Sequence, residues 1–228
     1  MIDIFLLAIV AVVAWCVAAE GAWGAAYTFV AVLIAGLLAM ALYEPMAYQL
    51  SKTVGIAGWA NKWDFISYLV LFGGITIGLR LLSEQLAPTL IETDAIIHDG
   101  GRWLLAVATG YLTMAILLTS LHMAPMPRTF FGFEPERDNF LNMSAPDRQW
   151  LGFVQYVSEH SLKISSEKPG FDAQRFPAAD GSQQIVSNFL LRYNARRQMS
   201  GRAARPAAPV ITPPTTPTGR GPSSSSGF

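Results

Sequence analysis

The sequence predicts an all-α integral membrane four-helix bundle followed by a partly helical, largely disordered polar C-terminal tail. Three observations carry that reading. The first 43 residues hold only two charged side chains, Asp3 and Glu20, and two further apolar runs lie between charged segments. After Pro125 and Pro127 the composition turns polar for about a hundred residues. The chain is 52% hydrophobic and 14% charged with a mean hydropathy of +0.34, although that polar tail is averaged in. The formal net charge of zero selects no partner class, and no nucleic-acid partner is expected.

A helix needs about 20 mostly apolar residues to cross a hydrocarbon core of about 30 Å. One rod over residues 4 to 43 would rise roughly 60 Å, so this stretch must fold back on itself. Glu20, Gly21 and Gly24 are where it turns, because a carboxylate is costly at the bilayer centre and glycine accepts the backbone angles of a tight connection. Spans are therefore expected over residues 4–20 and 24–43. A third covers residues 65–82, with Arg80 snorkelling toward the headgroups, and a fourth covers 103–121. The chain divides into a membrane domain (1–124), a polar tail with two short amphipathic helices (125–199) and a disordered Pro/Ser/Thr/Gly-rich end (200–228).

Val17-Ala18-Ala19 resembles a small-residue cleavage site, which raises a cleaved leader as the competing account of residues 1–20. The basic n-region of such leaders is missing and a second apolar run begins at once, so a retained span is expected. The lone Cys16 has no intramolecular partner for a disulfide and reads as a buried apolar residue.

Helices in lipid associate where small residues let backbones approach. Gly74 and Gly78, with Gly73 beside them, form a GxxxG track in the third span. Ala31, Ala35 and Ala39 line one side of the second, and Ala106 and Gly110 sit one turn apart in the fourth. Packing within a single bundle is the expected use, and a dimerisation face or conduit wall is the alternative. Tyr43, Tyr48, Trp59, Trp63 and Trp103 mark headgroup levels. Pro45 points to a helix boundary followed by an interfacial segment, Asp64 to an N-terminal cap on the third span, and Gly100 and Gly101 to the start of the fourth helix. Counting Lys52, Lys62, Arg128 and Arg137 against Arg102 and Arg80, the positive-inside rule puts both termini in the cytoplasm and the acidic 84–99 connection outside.

In the tail, Ser144 is placed to cap a helix with Asp147 three residues later, and Trp150, Phe153, Val154 and Val157 give it one apolar face. A second helix is expected over 183–199, with Ile185, Val186, Phe189, Leu190 and Tyr193 on one side and Arg192, Arg196 and Arg197 opposite. These faces suit the bundle, anionic lipid or a partner protein, the basic side contributing about 1 kcal/mol per residue at an anionic surface.

Chemistry is sparse. His98, His122 and His160 are scattered and read as boundary or surface residues, and no GxSxG, HExxH or phosphate-cradling GxxxxGK[ST] motif occurs. No catalytic residue, metal or cofactor is expected. Glu20 and Arg80 are the ionisable residues at span ends, and Glu84 is placed one turn after Arg80 to pair with it. They form a candidate polar site, with screened helix ends as the ordinary reading.

Residues 1 to about 124 resemble the colicin V production protein family of small four-span bacterial inner-membrane proteins. The likeness lies in an ordering: Asp3 heading the first span, the Glu20-Gly21 turn, a second span, a polar connection, and a third span ending IGLRLLSEQLAPTL. Thr93-Asp94 then precedes the glycine-bearing helix GGRWLLAVATGYLTMAILL. The resemblance implies a non-enzymatic role in toxin production or secretion, or in envelope maintenance, with secretion or envelope proteins or a second copy of the chain as partners. Members often carry basic residues in the first turn, where this chain has Glu20 and Trp23, and that arrangement would reverse the orientation given by the charge count. The alternatives are a small transporter or channel subunit, and a membrane anchor whose tail recruits a partner through Trp150 and Phe189.

Overall fold

In the computed structural model, residues 2–54, 62–86, 95–124, 140–141, 143–160, 173–177, 183–187, 189 and 193 are described. Four apolar helices form the bundle: α1 (Ile2–Ala18), α2 (Gly21–Val54), α3 (Trp63–Leu86) and α4 (Ala95–Met123). A fifth, α5 (Pro146–His160), packs beside them. The fold is all-α apart from a two-stranded ribbon in the tail, where β1 (Ala173–Pro177) and β2 (Gln183–Ser187) pair antiparallel with Ala173 opposite Ser187.

By length and composition, α2, α3 and the His98–Met123 part of α4 suffice to cross a membrane. Helix α1 is as apolar but has 17 residues. The outward surface is apolar too, with Ile4, Trp15, Ile77 and Leu104 all more than 60% exposed. In water such a surface would be unfavourable; in lipid it is the solvated side. The chain is a membrane protein.

The connection between α1 and α2 turns at Ala19 and Glu20, and Gly21 follows with φ of +79°. An L side chain there would be strained, which is the physical content of the glycine expected at this turn. Helix α1 then runs antiparallel to α4: Leu6 packs with Met114 and Leu118, and Ala14 with Ala106. Gly110 makes this close approach necessary, since a Cβ on it would lie 2.7 Å from the Val10 carbonyl oxygen. Helix α3 runs antiparallel to α2. Tyr43 and Tyr68 meet edge to face at one end, 6.1 Å between centroids, and Glu20 meets Arg80 at the other. One end of the bundle thus carries Asp3, Asp64 and His122, and the other Glu20, Arg80 and His98.

Several expectations are corrected. Helix α2 does not stop at Pro45 but continues to Val54. Proline removes one backbone donor, yet Tyr43 and Ala47 on either side are buried, so packing carries the helix through. Gly100 and Gly101 lie inside α4, which is already helical from Ala95. Asp64 is in the first turn of α3 rather than before it, still at the positive end of the helix. Ser144 does not cap α5: it exchanges backbone hydrogen bonds with Phe140, and the Ala145 carbonyl accepts from Arg148 and Gln149. Pro146 takes the first helical position, where its missing N–H costs nothing. Cys16, expected to be buried, is exposed.

The helix expected over 183–199 is also corrected. Residues 183–187 are strand β2, in which the adjacent β-branched Ile185 and Val186 suit an extended chain. Phe189 and Tyr193 beyond it are helical and buried against the bundle. Arg192, Arg196, Arg197 and the 200–228 end lie outside the described residues.

Candidate functional site

The charged side chains of the four bundle helices gather at their two ends. At the Asp64 end, α5 brings an apolar face of Trp150, Leu151 and Val154 onto α2 and α4. Gly36 of α2 makes room for it. A Cβ there would lie 2.7 Å from both Ile116 Cδ1 and Trp150 Cζ2, so the indole rests directly on the α2 backbone. At the start of the same helix His122 Nε2 lies 2.7 Å from Asp147 Oδ2, with both side chains buried.

The electrostatics of that pair follow from its position. His122 is in the last turn of α4, where the helix dipole favours a cation, and Asp147 is in the first turn of α5, where it favours an anion. Among the described residues Asp147 Oδ1, Ser67 Oγ, Tyr68 OH and Trp150 Nε1 are buried without a hydrogen-bond partner. The Tyr68 hydroxyl and Trp150 indole face each other outside full hydrogen-bond geometry. Nearby, the Tyr43 hydroxyl donates to Glu44 and the Tyr193 hydroxyl to Asp64. Leaving such groups unpaired costs about 1–3 kcal/mol each, which the surrounding apolar packing must offset.

At the opposite end Glu20 Oε1 pairs with Arg80 Nη2, while the Thr28 hydroxyl donates to Glu20 Oε2 over 2.9 Å. Arg80 Nε also reaches Glu84 Oε1, at 3.4 Å. The sequence grouping of Glu20, Arg80 and Glu84 is thus one cluster, linking the α1–α2 turn to the end of α3. Arg80 is 41% and Glu84 61% exposed, so the cluster sits at the bundle's rim. His98 approaches the same turn, its Nε2 3.1 Å from where a Gly21 Cβ would be.

The remaining predicted residues among those described separate into three groups. Ala106 and Gly110 are buried against α1. Among the described residues, a Cβ at Gly73, Gly74 or Gly78 would meet nothing within 4 Å, so no packing partner inside the described bundle is seen for the track expected to pack there. Helix α3 is accordingly the most open of the three long spans, with 17% of its apolar window buried against 44% and 50% for α2 and α4. Trp150 and Phe189 are spent on the core, and Phe153 is 38% exposed beside them.

Sequence reasoning missed the pairing of His122 with Asp147. They stand 25 residues apart on either side of a polar segment, and no spacing rule joins them. The available signal was positional: a histidine closing an apolar run and an aspartate opening an amphipathic one. Among the described residues no group of three His, Cys, Asp or Glu is placed to hold a metal. No protein-family model, curated protein or solved structure matches the chain.

Proposed function

We propose that this chain is a non-enzymatic, four-pass protein of a bacterial cytoplasmic membrane that acts by assembly, in the manner of the colicin V production family it resembles. Its task on this reading is to support toxin production or secretion, or envelope maintenance, by associating with a second copy and with envelope or secretion partners. The observation that carries it is the glycine side of α3, where Gly73, Gly74 and Gly78 meet no neighbour among the described residues. In lipid, small-residue tracks of this kind allow the backbone contact on which helix association depends. Helices α2 and α4 have already committed theirs at Gly36, Ala106 and Gly110.

The test is the mass of the purified full-length protein in nanodiscs. The unmodified chain is expected as an oligomer, and Gly74→Leu with Gly78→Leu as a monomer of unchanged helical content. An oligomer indifferent to both substitutions would sink this reading.

A small transporter or channel subunit is the second reading, favoured by the charged cluster of Glu20, Arg80 and Glu84. Flux through proteoliposomes that disappears in Glu20→Gln would support it over assembly. The anchor reading is weaker, because Trp150 and Phe189 are already buried in the chain's own core.

A further inference from the structure

Between α2, α4 and α5 lies an open apolar groove that encloses about 300 Å³, the lower end of the range for small-molecule sites. Its walls are Phe29 and Leu33 of α2, Leu112 and Ala115 of α4, and Trp150 and Phe153 of α5. Phe29 lies roughly 13 Å along α2 from Glu20, and Leu112 roughly 15 Å along α4 from His122, at 1.5 Å rise per residue. The groove is therefore at hydrocarbon depth. Beside it Val30 and Ile34 of α2 and Val107 of α4 are exposed, so it opens sideways onto the lipid-facing surface.

Its chemistry disfavours polar occupants. Tyr111 and Gln149 on its wall are joined by one hydrogen bond, the Tyr111 hydroxyl donating to Gln149 Oε1 over 2.6 Å, and the other lining side chains are apolar apart from the Trp150 N–H. A water or polar solute would need two to four polar partners. A helix is also the wrong shape, since one with side chains is about 10 Å across. A linear hydrocarbon chain fits both the volume and the surroundings.

We infer that this groove is a binding site for one acyl chain of a bilayer lipid, seated between the two spans and covered by α5. The site is independent of the α3 face, and either proposal can fail alone. It also gives α5 a reason to reach below the interface: Phe153 and Trp150 complete a wall that the spans leave open.

The experiment uses the full-length protein in nanodiscs of phosphatidylcholine carrying a photoactivatable diazirine at mid-chain, with adducts mapped by peptide mass spectrometry. Adducts are expected at Phe29, Leu112 and Phe153 at least fivefold above those at the outward-facing Val70 and Leu81. Ala108→Trp, which fills the groove, should remove that excess and leave Val70 and Leu81 unchanged. Equal labelling at all five positions, or an excess indifferent to Ala108→Trp in a folded variant, would overturn the site. Should Ala108→Trp not fold, native mass spectrometry of the unmodified protein decides: one retained phospholipid per chain is expected, and a lipid-free chain contradicts it. Labelling at Val70 and Leu81 with no lipid adducts at Phe29, Leu112 and Phe153 would show that something other than lipid fills the groove and would also overturn the proposal.

Discussion

His122 Nε2 lies 2.7 Å from Asp147 Oδ2, in contact that leaves the two side chains 3% and 1% exposed and ties the last turn of α4 to the first turn of α5. Through it a helix from the polar part of the sequence becomes part of the bundle's core. Removing one member of a buried hydrogen-bonded pair costs about 1–3 kcal/mol. His122→Ala and Asp147→Ala are each expected to destabilise the protein on that scale. The double variant should cost less than the sum of the two by about 1–3 kcal/mol, measured by reversible unfolding in micelles. Additive costs would mean that the two side chains act separately.

Trp150 and Gly36 make a second, purely steric prediction. With Trp150 Cζ2 and Ile116 Cδ1 each 2.7 Å from the position of a Gly36 Cβ, even a small side chain must displace the indole. Gly36→Val is expected to cost about 1–3 kcal/mol as overpacking. It should also raise alkylation of a cysteine placed at the buried Leu151 in a Cys16→Ser background. Gly73→Ala, which meets open space, serves as the comparison and is expected to leave both readings unchanged. Unaltered alkylation in Gly36→Val would show that α5 is not seated by this notch.

At the other end of the bundle the pairing of Glu20 with Arg80 is partly exposed, at 21% and 41%. Such pairs contribute about 0–1 kcal/mol once solvent and salt screen them. Glu20→Arg or Arg80→Glu alone should therefore lower the melting temperature modestly, and the double reversal should recover most of the loss. Ion leak through proteoliposomes should be the same for all four proteins. A leak that follows the charge at residue 20 would favour the transporter reading instead.

Much of the bundle was legible in the sequence because hydrophobic length is a direct physical constraint in lipid. The charge-free runs and the Glu20-Gly21 turn correspond to α1, α2, α3 and α4 with only their ends shifted. The end of α2 moved outward for a reason composition does not express: Tyr43 and Ala47 hold the helix together across Pro45, where local preference alone favours a break. The apolar rhythm of Trp150 and Val154 announced α5, but not what it would cover, since Gly36 lies more than a hundred residues earlier. The strand at Gln183–Ser187 was hidden by an apolar pattern that also fits a helix. In the candidate sites, Arg80 with Glu84 was readable from their spacing on one helix, whereas Glu20 with Arg80 and His122 with Asp147 are tertiary contacts between distant elements.

The proposed assembly rests on the open glycines of α3, and cysteine crosslinking at Gly78 in native membranes tests it most directly. A disulfide requires Cα atoms within about 7 Å of each other, a separation that glycine-track packing across a two-fold axis provides. In a Cys16→Ser background, Gly78→Cys is predicted to give a covalent dimer under mild oxidation, while Leu104→Cys on the outward side of α4 gives none. A Gly78→Cys protein that stays monomeric, or crosslinks no better than Leu104→Cys, would contradict assembly through this face.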